Sequence, residues 1–340
     1  MVKIGYALSS EEHAPNDLVQ YARRAEEVGF TFALISDHYH PWIDRQGNSS
    51  FVWSVIGAIA QTTKHLCLGT GVTCPTIRIH PAIIAQAAAT AASMMPGRFF
   101  LGVGTGENLN EHILGDRWPP ADIRLEMLEE ALEIMRLLWQ GGTRSYWGDY
   151  YTVENARIYT IPDKPPAIMI AASGPKAAER AGEVGDGLIS TAPDPELLEK
   201  FESAAGPNKP SYGQLAVCWG PDEREARRTA YEWWPNTALK GELTVELPTP
   251  AHFEQAAGMV TEEDVQKKSF AGPIRSSTLQ KSINLLMRDT TTSTYTRSAR
   301  IRKAFSSSTD RRSYRSSVKP VAFPDAVIPN PVPNPSRSLH

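Results

Sequence analysis

Residues 31–42 read TFALISDHYHPW. Phe32, Ala33, Leu34 and Ile35 form a short apolar run with no polar interruption, the pattern of a strand buried on both faces. Where the run stops, Ser36, Asp37, His38, His40 and Trp42 follow at once. Two readings compete for that cluster. One is a turn with a helix cap and a surface histidine; the other is a site at the carboxyl end of a parallel strand.

The rest of the chain repeats the pattern. Strands are expected over 2–8, 31–36, 66–72, 99–104, 167–173, 187–191 and 212–220. Between them, helical spacing runs over 16–30, with Asn16 as N-cap, and over 51–63, 81–95 and 125–139, with another helix after residue 175. In 125–139, Leu128, Leu132, Met135 and Trp139 make one apolar stripe. Repeated strand–helix units predict an α/β fold, a (β/α)8 TIM-like barrel, with a doubly wound sheet as the other arrangement. The stretches 105–125 and 140–166 are then insertions on the loop side. Every strand end is polar or glycine-rich: Thr70-Gly71-Val72-Thr73-Cys74, Gly104-Thr105-Gly106-Glu107, Ala172-Ser173-Gly174, and Ser190-Thr191. In a barrel such ends meet at one mouth, which favours the site reading of Asp37 and His38.

Bulk properties narrow the function. The chain has 340 residues, a net charge of −3 and no basic tract, so nothing points to nucleic acid. No apolar run is long enough to span a bilayer, and the first residues carry no secretory segment. Three widely spaced cysteines, Cys67, Cys74 and Cys218, read as reduced thiols in a cytoplasmic protein. The histidines show no metal-ligand spacing, so no metal is expected.

His38 and Glu107, at two strand ends, make a reasonable acid/base pair. The competing reading of Glu107 is a solvated carboxylate at a helix start, but GTGE directly after FFLGVG puts it at a barrel mouth. GVGTGE is weak as a dinucleotide signal. Ser173-Gly174-Pro175-Lys176 before a helix suits a phosphate, or is a plain turn.

Six stretches then carry a resemblance: SDHYHPW, LGTGVTCPT, HPAIIAQAAAT, GRFFLGVGTGENLNEH, GDYYTVENARIYTIP and IAASGPKAAERAGEVGDGLIST. Together they resemble the luciferase-like superfamily and, within it, the coenzyme F420-dependent glucose-6-phosphate dehydrogenase family, over residues 1–273. The resemblance implies a TIM-like barrel that binds a deazaflavin and moves a hydride between its ring and a hydroxyl-bearing carbon. It places the catalytic residues at His38, Glu107 and Trp42, with His38 on the substrate side and Glu107 on the ring side. Cofactor contacts fall on Asp37, Thr105, Gly106, Asn110, Ser173, Gly174, Lys176 and Ala177. A non-proline cis peptide falls at Gly71-Val72, and Cys74 stands where the family has a threonine. In the sugar-phosphate pocket, Thr191 matches, but Asp194 replaces a lysine, ELTVEL offers none, and Lys268 replaces an arginine. That set would hold a dianionic phosphate poorly, so the substrate is expected to be another alcohol or sugar. A flavin (FMN) monooxygenase of the same superfamily, or an inactive cofactor-binding barrel, is the alternative. Related enzymes form homodimers.

From Ile274 on, the composition changes. Residues 274–320 are dense in Ser, Thr and Arg, and a proline-rich end follows, which reads as disordered. No eighth strand is visible, so it is expected to be missing or non-native. Codons can be chosen for FSSSTDRRSYRSSVK (305–319) whose neighbouring frame spells FFEFYRPEVLPKFG and a stop. RDTTTSTYTRSARIRKA (288–304) likewise permits GYDHVYVHQIGPDQEG. Both hidden strings resemble the family's ending. The expectation is a one-base frameshift near codons 273–274, leaving a barrel domain over 1–273 and an aberrant tail over 274–340.

Overall fold

Two alternating sets of apolar side chains explain how the strands are laid down. The computed structural model describes residues 3–191, 194–206 and 209–273, and the backbone of 293–298. Its strands are β1 (Ile4–Leu8), β2 (Phe32–Ile35), β3 (Cys67–Thr70), β4 (Phe99–Val103), β5 (Arg144–Trp147), β6 (Thr152–Ala156), β7 (Ile168–Ala171), β8 (Gly187–Ser190), β9 (Ser211–Trp219), β10 (Ser269–Gly272) and β11 (Ser293–Ser298). The helices are α1 (Pro15–Glu27), α2 (Val52–Thr62), α3 (Pro81–Met94), α4 (Asn108–Glu111), α5 (Ala121–Trp139), α6 (Pro175–Val184), α7 (Pro195–Ala205), α8 (Glu223–Trp233), α9 (Leu243–Glu246), α10 (Pro250–Ala257) and α11 (Glu262–Gln266).

The main sheet runs β10-β9-β11-β1-β2-β3-β4-β7-β8, and β8 also pairs with β9. These pairings are parallel, for example Tyr6 opposite Ala33 and Leu101 opposite Ile168. This is the TIM-like barrel arrangement. On its inner side Phe32, Leu34, Phe100, Met169 and Ile189 cluster with Tyr212. Their sequence neighbours Ala33, Ile35, Leu101, Ile170 and Leu188 pack outward against the long helices. Both faces are buried, which is why the strands read as unbroken apolar runs. The interior admits its aromatic rings only because facing positions are small. A Cβ at Gly69 would lie 2.1 Å from the Phe100 ring.

The stripe foreseen in α5 is buried along Leu128, Leu132, Met135 and Trp139. Helix α1 differs from expectation: it begins at Pro15 after Ala14, with no side-chain cap, and Asn16 sits in its first turn. Proline at the first helical position needs no donor and sets φ for the helix. The insertion after α5 is an antiparallel hairpin of β5 and β6. Its tip is anchored by Glu130, whose carboxylate accepts from the backbone N–H groups of Asp149, Tyr150 and Tyr151 at 3.0, 3.1 and 2.8 Å.

The eighth strand position, between β9 and β1, is taken by the backbone of Ser293–Ser298, where Thr294 pairs with both Ile4 and Gly213. Its sequence, STYTRS, lacks the branched apolar residues of the other strands. The rest of the 274–340 tail, with the disorder and frameshift expected there, lies outside the described residues. No helix among the described residues is long and apolar enough to cross a membrane.

Candidate active site

His38 follows β2 and is the centre of the best-defined polar cluster. Its Nε2 lies 3.6 Å from Oε1 of Glu11, a fully buried carboxylate after β1. Glu11 is fixed in turn by the hydroxyls of Ser9 and Ser36, which donate to its Oε2 at 2.8 and 2.6 Å. On the other side of the ring, Nδ1 faces the His40 carbonyl at 3.3 Å and the Asn110 amide nitrogen at 3.1 Å. Asn110 cannot turn its amide round. Its Oδ1 accepts from the Tyr39 and His40 N–H groups at 2.9 and 3.2 Å. Its Nδ2 therefore donates, either to His38 Nδ1 or to Glu107 Oε2 at 3.3 Å. With the proton on Nδ1, the His40 carbonyl accepts it, Asn110 serves Glu107, and Nε2 is left as a base. With the proton on Nε2, Asn110 donates to Nδ1. One buried amide thus ties the two proposed proton-handling groups together.

Trp42 leans on this histidine, ring centroids 5.0 Å apart, and meets Phe253 of α10 edge-on at 5.1 Å. Around it pack Ile43, Leu109, Leu239 and Leu247. The indole Nε1 is buried without a hydrogen-bond partner. A group bound beside Trp42 would be the natural acceptor.

Asp37 faces away from His38 into the loop after β3. Its Oδ2 accepts from the Thr73 hydroxyl at 2.8 Å and its Oδ1 from Arg78 Nη2 at 3.0 Å. The same loop holds the Gly71-Val72 peptide, which is cis as expected. Arg78 also reaches Glu111, through its backbone N–H at 2.8 Å and with Nε 3.6 Å from Oε1. Burial pushes the Glu111 carboxyl up to about 7, against the opposing pull of Arg78. Cys74 is buried against Thr76 (Sγ to Oγ1 3.0 Å), and burial, with Glu111 nearby, holds its thiol well above the ordinary range. Gly106 passes this thiol with φ +78°, and a Cβ there would lie 2.6 Å from the sulfur. Thr105 precedes it at the end of β4 and is half-buried.

Direct hydrogen bonds or ring contacts join Asp37, His38, Trp42, Glu107 and Asn110 to their neighbours, and Gly71, Val72, Cys74 and Gly106 line the same loops. Ser173, Gly174, Lys176 and Ala177 follow β7, beside β4, and Thr191 follows β8. Gly174 is the N-cap of α6 and no side chain caps that helix, so its first N–H groups are left to an anion, with Lys176 exposed alongside. Helix α7 is the opposite case. The Asp194 carboxylate accepts from its Glu196 and Leu197 N–H groups at 3.0 and 3.4 Å. Lys268 is exposed just before β10 and makes no contact with this cluster.

Sequence reasoning missed Glu11, Arg78 and Glu111. Glu11 was within reach: SSEE follows β1 as SDHYHPW follows β2, and the same strand-end logic covers it. Glu111 stands one helical turn beyond Glu107, but nothing local pairs it with Arg78.

Residues 1–280 match the luciferase-like monooxygenase family model. The chain belongs to that family. This luciferase-like chain is 39% identical over 262 residues to an F420-dependent hydroxymycolic acid dehydrogenase of Mycobacterium tuberculosis H37Rv, covering 75% of this chain and 71% of the relative. It is 38% identical over 281 residues to an F420-dependent glucose-6-phosphate dehydrogenase of the same organism, covering 78% and 83%. Among solved structures it is similar to an F420-dependent secondary alcohol dehydrogenase in complex with an F420–acetone adduct. That match has a TM-score of 0.81 and 30% identity, and covers 88% of this chain and 94% of the other.

Proposed function

We propose that this luciferase-like chain is a coenzyme F420-dependent oxidoreductase acting on CH–OH groups. The observation that carries the proposal is the His38 cluster, a histidine held between a buried carboxylate and an amide that also reaches Glu107. Relatives of three different substrate names share dependence on F420, which favours the deazaflavin over FMN. The residues present fit it: the uncapped start of α6 suits an anionic tail, and the buried Trp42 Nε1 has no hydrogen-bond partner of its own. Asp37, Gly71, Val72, Cys74, Thr105, Gly106, Asn110, Ser173, Gly174, Lys176 and Ala177 would hold it.

When bound, the deazaflavin supplies the hydride acceptor. His38 takes the substrate hydroxyl proton at Nε2, with Nδ1–H on the His40 carbonyl. The Glu11 carboxylate stabilises the imidazolium so formed. Glu107 exchanges the proton on the cofactor side, and Trp42 covers the reacting carbon and excludes water.

The substrate we infer is an alcohol without a phosphate group. Asp194 spends the donors of α7 on its own carboxylate and would repel a dianion, while Thr191 and Lys268 offer little to offset it. A screen of secondary alcohols and sugar phosphates for bleaching of the deazaflavin absorbance tests both points. Bleaching by alcohols and not by glucose 6-phosphate is expected; bleaching by glucose 6-phosphate alone would refute the substrate reading. We place the protein in the cytoplasm as a homodimer, which light scattering on the eluted protein checks.

A further inference from the structure

Arg78 plays no part in the chemistry above, yet among the described residues it is the one cation paired with two buried carboxylates. Its side chain is 7% exposed, against 0% for Asp37 and 1% for Glu111. The three come from different segments: the end of β2, the loop after β3, and α4. Each contact crosses at least 33 residues of chain. Glu111 ends the short helix that begins after Glu107 and carries Asn110. Its carboxylate accepts from the Arg78 backbone N–H, and the Arg78 Nε stands 3.6 Å from it as an ion pair without a hydrogen bond. Asp37 has Thr73 as its other partner, from the residue that follows the Gly71-Val72 peptide.

We propose that Arg78 is a positioning residue for this active site. Its guanidinium ties Asp37, on the cofactor side, to the α4 segment that carries Glu107 and Asn110 and so orients His38. The planar fork matters more than the charge. Nη2 meets Asp37 while Nε points toward Glu111, and a lysine ammonium on a flexible stem cannot hold both directions at once. The role rests on the functional reading above, because it is the placing of Asp37 toward coenzyme F420 that Arg78 controls.

The test uses the full chain and three variants: Arg78→Lys, Arg78→Met and Arg78→Met/Glu111→Gln. Each is titrated with coenzyme F420 by its fluorescence and melted without cofactor. In Arg78→Lys the melting temperature is expected to stay near wild type while F420 binding weakens about tenfold, within the range for groups in one network. Arg78→Met leaves two buried acids without their cation, and both readouts fall. Adding Glu111→Gln removes one of those unpaired acids, so the melting temperature recovers in part while the F420 affinity does not, since Asp37 still lacks its tie. Wild-type affinity in Arg78→Lys, or full recovery of affinity in the double variant, would overturn the proposal. An unmodified chain that binds no F420 would instead overturn the functional reading and this role with it.

Discussion

Glu11→Gln removes one negative charge from beside His38. The amide keeps an acceptor for the Ser9 and Ser36 hydroxyls, so packing is preserved. At 3.6 Å the carboxylate and a protonated His38 attract by about 4–5 kcal/mol at an effective dielectric near 20. The Ser9 and Ser36 hydroxyls already drain charge from that carboxylate. With about half of the attraction left to act on the imidazolium, the loss is ~2 kcal/mol, or roughly 30-fold in rate. The assay is single-turnover bleaching of deazaflavin absorbance at saturating alcohol, beside a fluorescence titration of F420. A roughly 30-fold slower hydride step with little change in cofactor affinity is expected, because the Ser36 hydroxyl keeps its acceptor and the loop that carries Asp37 stays in place. A rate within twofold of wild type would refute the assignment of Glu11 as counter-charge to His38.

Three further outcomes follow from the geometry. Gly106→Ala forces a side chain onto a φ of +78° and against the Cys74 sulfur, and should cost about 1–3 kcal/mol, read as a lowered melting temperature. Glu111 titrates near 7 in the fold against 4.5 when exposed. The native state therefore resists its ionisation, and stability falls as pH rises from about 4.5 to 7, by about 3 kcal/mol in all. Glu111→Gln should flatten that fall; an unchanged pH profile of melting would count against it. Restoring the alternative reading frame after codon 273 should raise the melting temperature by about 10 °C, since it replaces STYTRS with a strand, HVYVH, that sets valine and tyrosine between histidines. Sequencing that stretch of the gene gives an independent check, and codons that fit no second frame would dispose of the frameshift.

Much of this was legible in the sequence. FALI, FFLGV and IMIA read as strands because both faces of a barrel strand are buried, and the polar ends of those runs marked the mouth. His38, Asp37, Glu107 and Trp42 all sit at such ends. Asn110 is expected from the resemblance as a cofactor contact; the bonds that fix its amide, to His38, Glu107 and the backbone of Tyr39 and His40, left no trace in the sequence. Interactions that join distant segments left no local trace. Arg78 meets Asp37 across 41 residues and Glu111 across 33, so neither pairing appears in any periodicity. The β5–β6 hairpin hid for another reason: RSYW and TVENA are half-exposed, and Glu130 fixes the turn from α5.

The central claim is that the strand-end loops form one site for a deazaflavin. Titration of the purified chain with coenzyme F420 and with FMN, each followed by its own fluorescence, tests it most directly. Saturable binding of F420, at least tenfold tighter than FMN and weakened by Asp37→Ala, is the predicted result. Preference for FMN, or F420 binding indifferent to Asp37, would contradict it.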